Sequence, residues 1–344
     1  MLKKLELAQL KEEYELSYIS KINNGYRSEV YSMWDYRRQH AIAVKIPNSP
    51  GDEVPADYWS HIHHSNVIPL YEIAELKDGK TAYVMPLYDT TLEKEVMSRN
   101  FPRNSLSFAL AKKWIYESLC GLAEIHSQGL CHLNLRPENI VLTLGKSARL
   151  GGLSMMRKDD EDATTKLMIS PLYAPPEFWD KSETTGVQLD LWAFGIVILE
   201  TLIGRTFRRK LFSKSDIINR GINGYRIWND HVRPFLKKIR HKNYFKTLLK
   251  KAHPVASLIN SEVESAWKFV HYFLRDDPSR RLKATTVLTD EFLWPFNNQE
   301  LHGDGQLRLS ISLESLASRR LISDEIRYTR SDSKVKFSKR RQFN

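Results

Sequence analysis

Apolar positions along this chain change their period from stretch to stretch, and each period predicts an element. In residues 1–15, Leu2, Leu5, Leu10 and Tyr14 lie at near-helical spacing among charged neighbours. That predicts a short amphipathic helix packed on the domain behind it. From Tyr18 to Ile46 the pattern shortens to the runs YISKI, EVYSMWDY and HAIAVKI, rich in β-branched and aromatic residues, which predicts strands. The next stretch, as far as His64, is interrupted by Pro47, Pro50 and Pro55, so a helix there is limited to about two or three turns. Thr81 to Leu92, TAYVMPLYDTTL, reads as a strand running into a connector. From Ser107 to Gln128 apolar residues recur three and four apart, which predicts a long helix. Val232, Phe235, Leu236 and Ile239 return to helical spacing. Beyond Asn298 the chain is rich in Ser and Arg and poor in aromatics, a composition that predicts disorder.

Composition narrows this further. At 344 residues and 42% hydrophobic, the chain can build one large two-lobed domain or two ordinary ones. MLKKLELAQLKEEYE lacks the apolar core of a secretory signal, and the longest apolar run, Leu191 to Leu199, is too short to span a bilayer. An intracellular protein, cytoplasmic or nuclear, is expected. Cys120 and Cys131 sit in apolar surroundings and read as reduced core residues. The net charge of +11 is uneven: residues 205–251 hold 15 basic and 2 acidic residues, and residues 301–344 hold 10 basic and 5 acidic. The remainder is mildly acidic. In the basic segment, RPFLKKIRHKNYFKTLLKK interleaves cations with apolar residues. Docking of an acidic protein is one reading; nucleic-acid binding, favoured by Trp228, Tyr244 and Phe245, is another. A solvated helical face whose aromatics are core stands beside both.

The chemistry concentrates in Cys131 to Leu142, CHLNLRPENIVL. This resembles the catalytic loop of eukaryotic protein kinases, H-R-D-L-K-P-E-N followed by a short apolar strand. His132, Leu135, Pro137, Glu138 and Asn139 match. Leu133 stands at the Arg position, Arg136 at the Lys position and Asn134 at the position of the catalytic Asp. In the same register the metal-binding D-F-G lands on Gly152, Leu153 and Ser154, so the magnesium carboxylate is replaced by a glycine. Leu153 fills the apolar slot of the family's Phe. SPLYAPPE matches A-P-E through Pro176 and Glu177, with Pro175 in place of Ala, and Ser170 ties the resemblance to the Ser/Thr branch. Asp190, Trp192 and Gly195 match the D-x-W-x-x-G that opens a buried helix, and Arg281 matches the Arg that pairs with Glu177. Leu133 cannot grip an activation-loop phosphate, so Thr164 and Thr165 are expected to be solvated loop residues.

The resemblance extends to the β-rich region. Lys45, in the run A-I-A-V-K, is the candidate for the nucleotide's α and β phosphates. The glycine loop is reduced to Asn23, Gly25 and Ser28 before Val30, a poorer phosphate cradle. The Glu that would pair with Lys45 falls near Pro55, with Glu53 and Asp57 out of register. Met85 would lie beside adenine, Pro86 and Tyr88 offer backbone groups to it, and Val30, Ala43 and Val141 would sandwich the ring.

These residues imply an α+β, bilobal protein-kinase-like fold with a small β-rich lobe and a large, mainly α-helical lobe. The expected organisation is a helical extension over 1–15 and a kinase-like domain over 16–298. Within it the lobes meet near residue 88, and a basic insertion covers about 205–255. A basic tail follows over 299–344. Phosphoryl transfer needs a carboxylate to orient the hydroxyl and another to hold metal; both positions lack one. The leading expectation is a pseudokinase, a scaffold or allosteric regulator of protein partners that binds ATP, if at all, without magnesium. A Ser/Thr kinase using Lys45, Asn134 and Asn139 in a remodelled site is the alternative. A nucleic-acid or acidic-partner module, and non-phosphorylating nucleotidyl transfer, are further ones.

Overall fold

The structure, a computed structural model, describes residues 4–24, 28–48, 56–159, 169–211 and 224–298. The first helix, α1 (Lys4–Tyr14), precedes β1 (Leu16–Asn24), β2 (Ser28–Asp35), β3 (His40–Pro47), the short α2 (Ala56–Ser60), β4 (Glu72–Glu75) and β5 (Thr81–Pro86). The strands form one antiparallel five-stranded sheet in the order β1-β2-β3-β5-β4. Because side chains alternate along a strand, β3 serves two cores. Ile42, Val44 and Ile46 pack with Tyr31, Met33, Ala74 and Val84 on the outer face, whereas Ala43 faces the large lobe.

α1 closes the outer face. Its Leu10 is wholly buried there, beside Leu16, a burial that contributes about 2 kcal/mol. Gln9 anchors the helix to the β4–β5 turn: its Nε2 donates to the Glu75 carbonyl (3.0 Å), and its Oε1 accepts from the Lys77 backbone N–H (2.8 Å). Packing on the domain behind it is what the leucine spacing predicts.

Residues 49–55 lie outside the described residues, and the described part of the helix that follows, α2, spans Ala56–Ser60, within the limit of two or three turns that the prolines set. What fixes it is aromatic packing. Trp59 stacks on Tyr83 of β5 at 5.8 Å between ring centroids, and its indole N–H donates to the Ile68 carbonyl at 2.8 Å.

The large lobe begins with β6 (Thr90–Thr91), α3 (Leu92–Met97) and α4 (Ser107–Ser127). There follow β7 (Leu130–Cys131), β8 (Ile140–Leu142), β9 (Ala148–Leu150), β10 (Arg157–Lys158), α5 (Pro176–Asp180), α6 (Gly186–Ile203) and α7 (Arg205–Leu211). Helix Gly224–Ile227 then runs through a π turn, Trp228–Val232, into helix Arg233–Ile239; helices Lys242–Ala252 and Asn260–Phe273 complete the lobe. α6 is apolar around its whole circumference because it is the core: 89% of its length is buried inside the domain, although its composition alone would let it cross a membrane. Its start is capped by Thr185, whose hydroxyl accepts from the Gln188 N–H. Gly195 lets it approach helix Asn260–Phe273, since a Cβ there would come within 2.7–2.9 Å of Leu274 and Phe273.

The basic segment is amphipathic. Phe245 is wholly buried, Trp228 is 5% exposed, and Tyr244 packs against the same core, while Arg233, Lys237, Lys238, Lys242 and Lys250 face solvent. Trp228, Tyr244 and Phe245 therefore belong to the core, which removes the observation that favoured nucleic acid. Cys120 and Cys131 are free thiols. Gly25, Glu53, Thr164, Thr165 and the tail over 299–344 lie outside the described residues.

Candidate active site

Asp190, near the start of α6 and 1% exposed, builds the catalytic loop. Its carboxylate accepts from the backbone N–H groups of His132 (2.6 Å) and Leu133 (2.7 Å), and His126 Nε2 lies 3.0 Å away. These bonds hold Leu133 at φ +58°, a left-handed conformation costly for a side-chain-bearing residue. His132 is wholly buried, and its Nε2 is 2.9 Å from the Gly151 carbonyl. Burial lowers its pKa, so the ring is a neutral hydrogen-bonding strut. The Leu133 side chain is buried with Cys131, Met155 and Leu189, and Ile169 and Phe178 pack on the group. An apolar cluster thus fills the place from which a guanidinium would reach an activation-loop phosphate.

Asn134, Asn139 and Gly152 close on one another. The Asn139 amide donates to the Asn134 carbonyl (2.7 Å), the Asn134 amide donates to the Gly152 carbonyl (3.2 Å), and the Gly151 N–H donates to the Asn139 carbonyl (2.7 Å). Asn134 is neutral and cannot take up a proton from an attacking hydroxyl as a carboxylate can. Gly152 has φ +72°, and a Cβ on it would lie 2.5 Å from Asn139 Cγ. The Asn139 side chain occupies the space that a metal-binding carboxylate at residue 152 would need. Among the described residues no group of three or more His, Cys, Asp or Glu is placed to hold a metal ion. Leu153 is 2% exposed and fills the apolar slot.

Lys45, on β3 opposite Tyr83, donates from Nζ to Ser154 Oγ at 2.7 Å. No carboxylate among the described residues lies within ion-pairing distance. Burial, with the positive charge of Arg136 as a second cause, lowers its pKa to about 8. The charge of Arg136 thus acts on Lys45, and no anion among the described residues pairs with Lys45. Arg136 Nε itself has no hydrogen-bond partner. The side chain of Asp57 lies outside the described residues.

Above these cations, Ala43 and Met85 face each other across β3 and β5 and are buried, and Val30, Tyr88 and Val141 pack on the same cluster. Both lobes thus contribute residues to one apolar cluster. The Tyr88 hydroxyl accepts from Arg149 Nη1 at 3.2 Å, which ties the connector between the lobes to β9.

Several partners escaped the sequence reading. Trp59 and Arg149 belong to no motif, and Ser154, read only as the third position of the D-F-G register, gives no sign of pairing with Lys45. Arg208, one cation in a basic run, bonds Glu200 (2.6 Å from Nε), Glu138 of the catalytic loop (2.9 Å) and Glu93. Burial raises the pKa of Glu200 to about 7, and the Tyr173 hydroxyl also donates to it at 2.7 Å. Nothing in the sequence distinguishes Arg208 from its neighbours.

A small sheet lobe, a large helical lobe and a loop of this order between them define a protein kinase fold. Residues 16–293 match the family model described as protein kinase domain, and the chain belongs to that family. It is similar to mitogen-activated protein kinase 13 of Bos taurus, 25% identical over 327 residues that make up 89% of this chain and 85% of that protein. Mitogen-activated protein kinase 13 of Homo sapiens is 25% identical, with 85% and 82% covered. The mitogen-activated protein kinase HOG1 of Cryphonectria parasitica is 25% identical, with 69% and 65% covered. Kinase domains bind ATP between their lobes, where the apolar cluster and Lys45 lie in this chain.

Proposed function

We propose that this member of the protein kinase family is a pseudokinase: a scaffold or allosteric regulator of protein partners that holds an adenine nucleotide without a metal ion. The observation that carries the reading is the cleft floor. Lys45 rests on Ser154 near Arg136 with no carboxylate partner among the described residues, and Asn139 fills the space next to Gly152. The apolar cluster of Ala43, Met85, Val30 and Val141 suits an adenine ring, and the two cations suit its phosphates. The donor set does not suit magnesium, which is held through carboxylate oxygens. Nor is there a carboxylate at residue 134 to orient a hydroxyl, so binding has no route to transfer.

The test is thermal unfolding of the chain with ATP, with and without magnesium, alongside Lys45→Ala. A rise in midpoint that needs no metal and is lost in Lys45→Ala is expected. A rise that requires magnesium would overturn the metal-free reading. The pH dependence follows from Lys45. Unliganded, its pKa is about 8, and bound phosphates raise it, so the complex holds the extra proton above pH 8. ATP affinity is expected to fall as pH rises past 8, by up to about tenfold per unit. The unliganded chain moves the opposite way. Its folded-state pKa lies below the unfolded value of 10.5, so this group's contribution to stability rises between about pH 8 and 10.5. A midpoint increment that stays constant from pH 7 to 9.5 would mean that Lys45 does not meet the phosphates.

A second reading is an active Ser/Thr kinase, favoured by the resemblance to proteins named mitogen-activated protein kinases. It requires magnesium-dependent transfer of the γ-phosphate from ATP to a protein acceptor. Transfer by the unaltered chain, abolished by Lys45→Ala, would establish it and displace the pseudokinase.

A further inference from the structure

One guanidinium, that of Arg208, joins three helices and the catalytic loop. From α7 its Nε donates to Glu200 of α6 at 2.6 Å, its Nη2 donates to Glu138 of the catalytic loop at 2.9 Å, and its Nη1 donates to Glu93 of α3. Glu200 also accepts from the hydroxyl of Tyr173 at 2.7 Å, which ties in the stretch that leads into α5.

Charge is out of balance at this junction. Three carboxylates face one guanidinium, and no other cation among the described residues lies within ion-pairing distance of them. The second oxygen of Glu138 is occluded and has no donor. The Glu200 side chain is wholly buried, where neighbouring like charges repel most strongly. Tyr173 does not change the balance, since burial and the charge of Glu200 keep its phenol neutral. Burial, helped by Glu138 and opposed by Arg208 and Tyr173, raises the Glu200 carboxyl to about 7. Burial and Glu138 raise Glu93 as well, against the pull of Arg208.

The hydrogen bonds decide where a proton from solvent goes. Both Glu200 oxygens already accept, Oε1 from Arg208 and Oε2 from Tyr173. A guanidinium has no acceptor, whereas a tyrosine hydroxyl can turn and accept. The proton therefore enters on Oε2, Tyr173 changes from donor to acceptor, and Arg208 keeps its bond to Oε1. With one negative charge removed, the carboxylates repel one another less and all three can stay on the one guanidinium.

We propose that this junction is a proton-operated clasp: Glu200 takes up one proton as pH falls, which tightens α7 on the catalytic loop, and releases it as pH rises, which loosens them. Glu138 directly precedes Asn139, whose amide holds the Asn134 carbonyl and whose side chain lies against Gly152, so the clasp acts on the floor of the cleft. It is independent of whether nucleotide binds there.

Urea unfolding of the full chain and of Glu200→Gln between pH 5 and 8.5 tests the proton. Gln keeps an oxygen for Arg208 and offers an N–H to Tyr173, so it stands for the protonated state. Folded Glu200 lies near 7, above its unfolded value of 4.5, so the folded chain holds the extra proton in that window. The folding constant of the chain relative to Glu200→Gln is expected to fall as pH rises towards 7, by up to about tenfold per unit, and to level off above it. His64, His132 and His253, whose pKa values burial lowers, contribute alike to both chains. Hydrogen exchange, corrected for its intrinsic pH dependence, tests the clasp. Residues 134–139 and 205–211 are expected to exchange severalfold more slowly at pH 6 than at pH 8 in the chain, and at similar rates in Glu200→Gln. Tyr173→Phe leaves every charge in place but removes a donor from the ionised carboxylate, a stronger bond than the one it makes to the neutral form. It is expected to move the fall to higher pH, and it keeps the test open if Glu200→Gln does not fold. The clasp is overturned if the relative folding constant is flat with pH, if the fall stays in place in Tyr173→Phe, or if exchange at these residues ignores the proton.

Discussion

Gly152→Ala is expected to destabilise the chain by about 2–5 kcal/mol, a large effect for one methyl group. Two costs combine: a side chain at a left-handed position, about 1–2 kcal/mol, and an overpacked contact, about 1–3 kcal/mol. The contact is specific, since the new Cβ would lie 2.5 Å from Asn139 Cγ and 2.6 Å from its Nδ2. Asn139→Ala alone loses the amide bond to the Asn134 carbonyl, about 1 kcal/mol. In the double variant the collision disappears, so the two costs should fall short of additivity by at least about 1 kcal/mol. Urea unfolding of the four chains measures this. Additive costs would show that Asn139 does not occupy the place of a residue-152 side chain, and the steric argument against a metal carboxylate would lapse. The result also bears on any attempt to restore transfer: an Asp at 152 needs Asn139 to turn away first.

The parts of this fold that were legible in the sequence are those in which residue identity and separation suffice. Asp190 and the pair Glu177–Arg281 were legible as positions of the family's motifs, and the structure sets Asp190 on the catalytic loop and Arg281 on Glu177. The alternation in HAIAVKI gives the two faces of β3 directly. The rest depends on rotamers and chain path. Lys45 was recognisable, whereas its partner Ser154 was not, because a serine at that position carries no pattern of its own. The prolines limit α2 without saying where it starts. Trp59, which anchors it, looks like any core aromatic. Trp228, Tyr244 and Phe245 misled for the opposite reason: a one-dimensional alternation of aromatics and cations looks the same whether the rings face solvent or core. Only the helical phase of Val232, Phe235, Leu236 and Ile239 pointed inward, and the structure follows that phase.

Arg281→Ala should have the largest effect on stability, about 3–5 kcal/mol. Arg281 and Glu177 are 3% and 4% exposed, and both guanidinium Nη atoms reach the carboxylate, one at 2.7 Å. The same side chain donates to the carbonyls of Gln188 (2.9 Å) and Arg275 (3.1 Å). Removing it leaves a buried carboxylate without a cation and two carbonyls without this donor, and breaking a buried pair from one side costs far more than the pair is worth. Arg281→Lys should fall between, because an ammonium keeps the charge but cannot span the two carboxylate oxygens. Arg281→Met combined with Glu177→Met should cost less than Arg281→Ala, since no charge is left stranded. If Arg281→Ala instead costs under about 1 kcal/mol in urea unfolding, the pair does not bind α5 to α6. None of these contacts involves Lys45, Asn139 or Gly152, so the large lobe's cohesion is separate from the chemistry of its active site. The catalytic positions can therefore lack carboxylates while α5 and Trp192 stay in place.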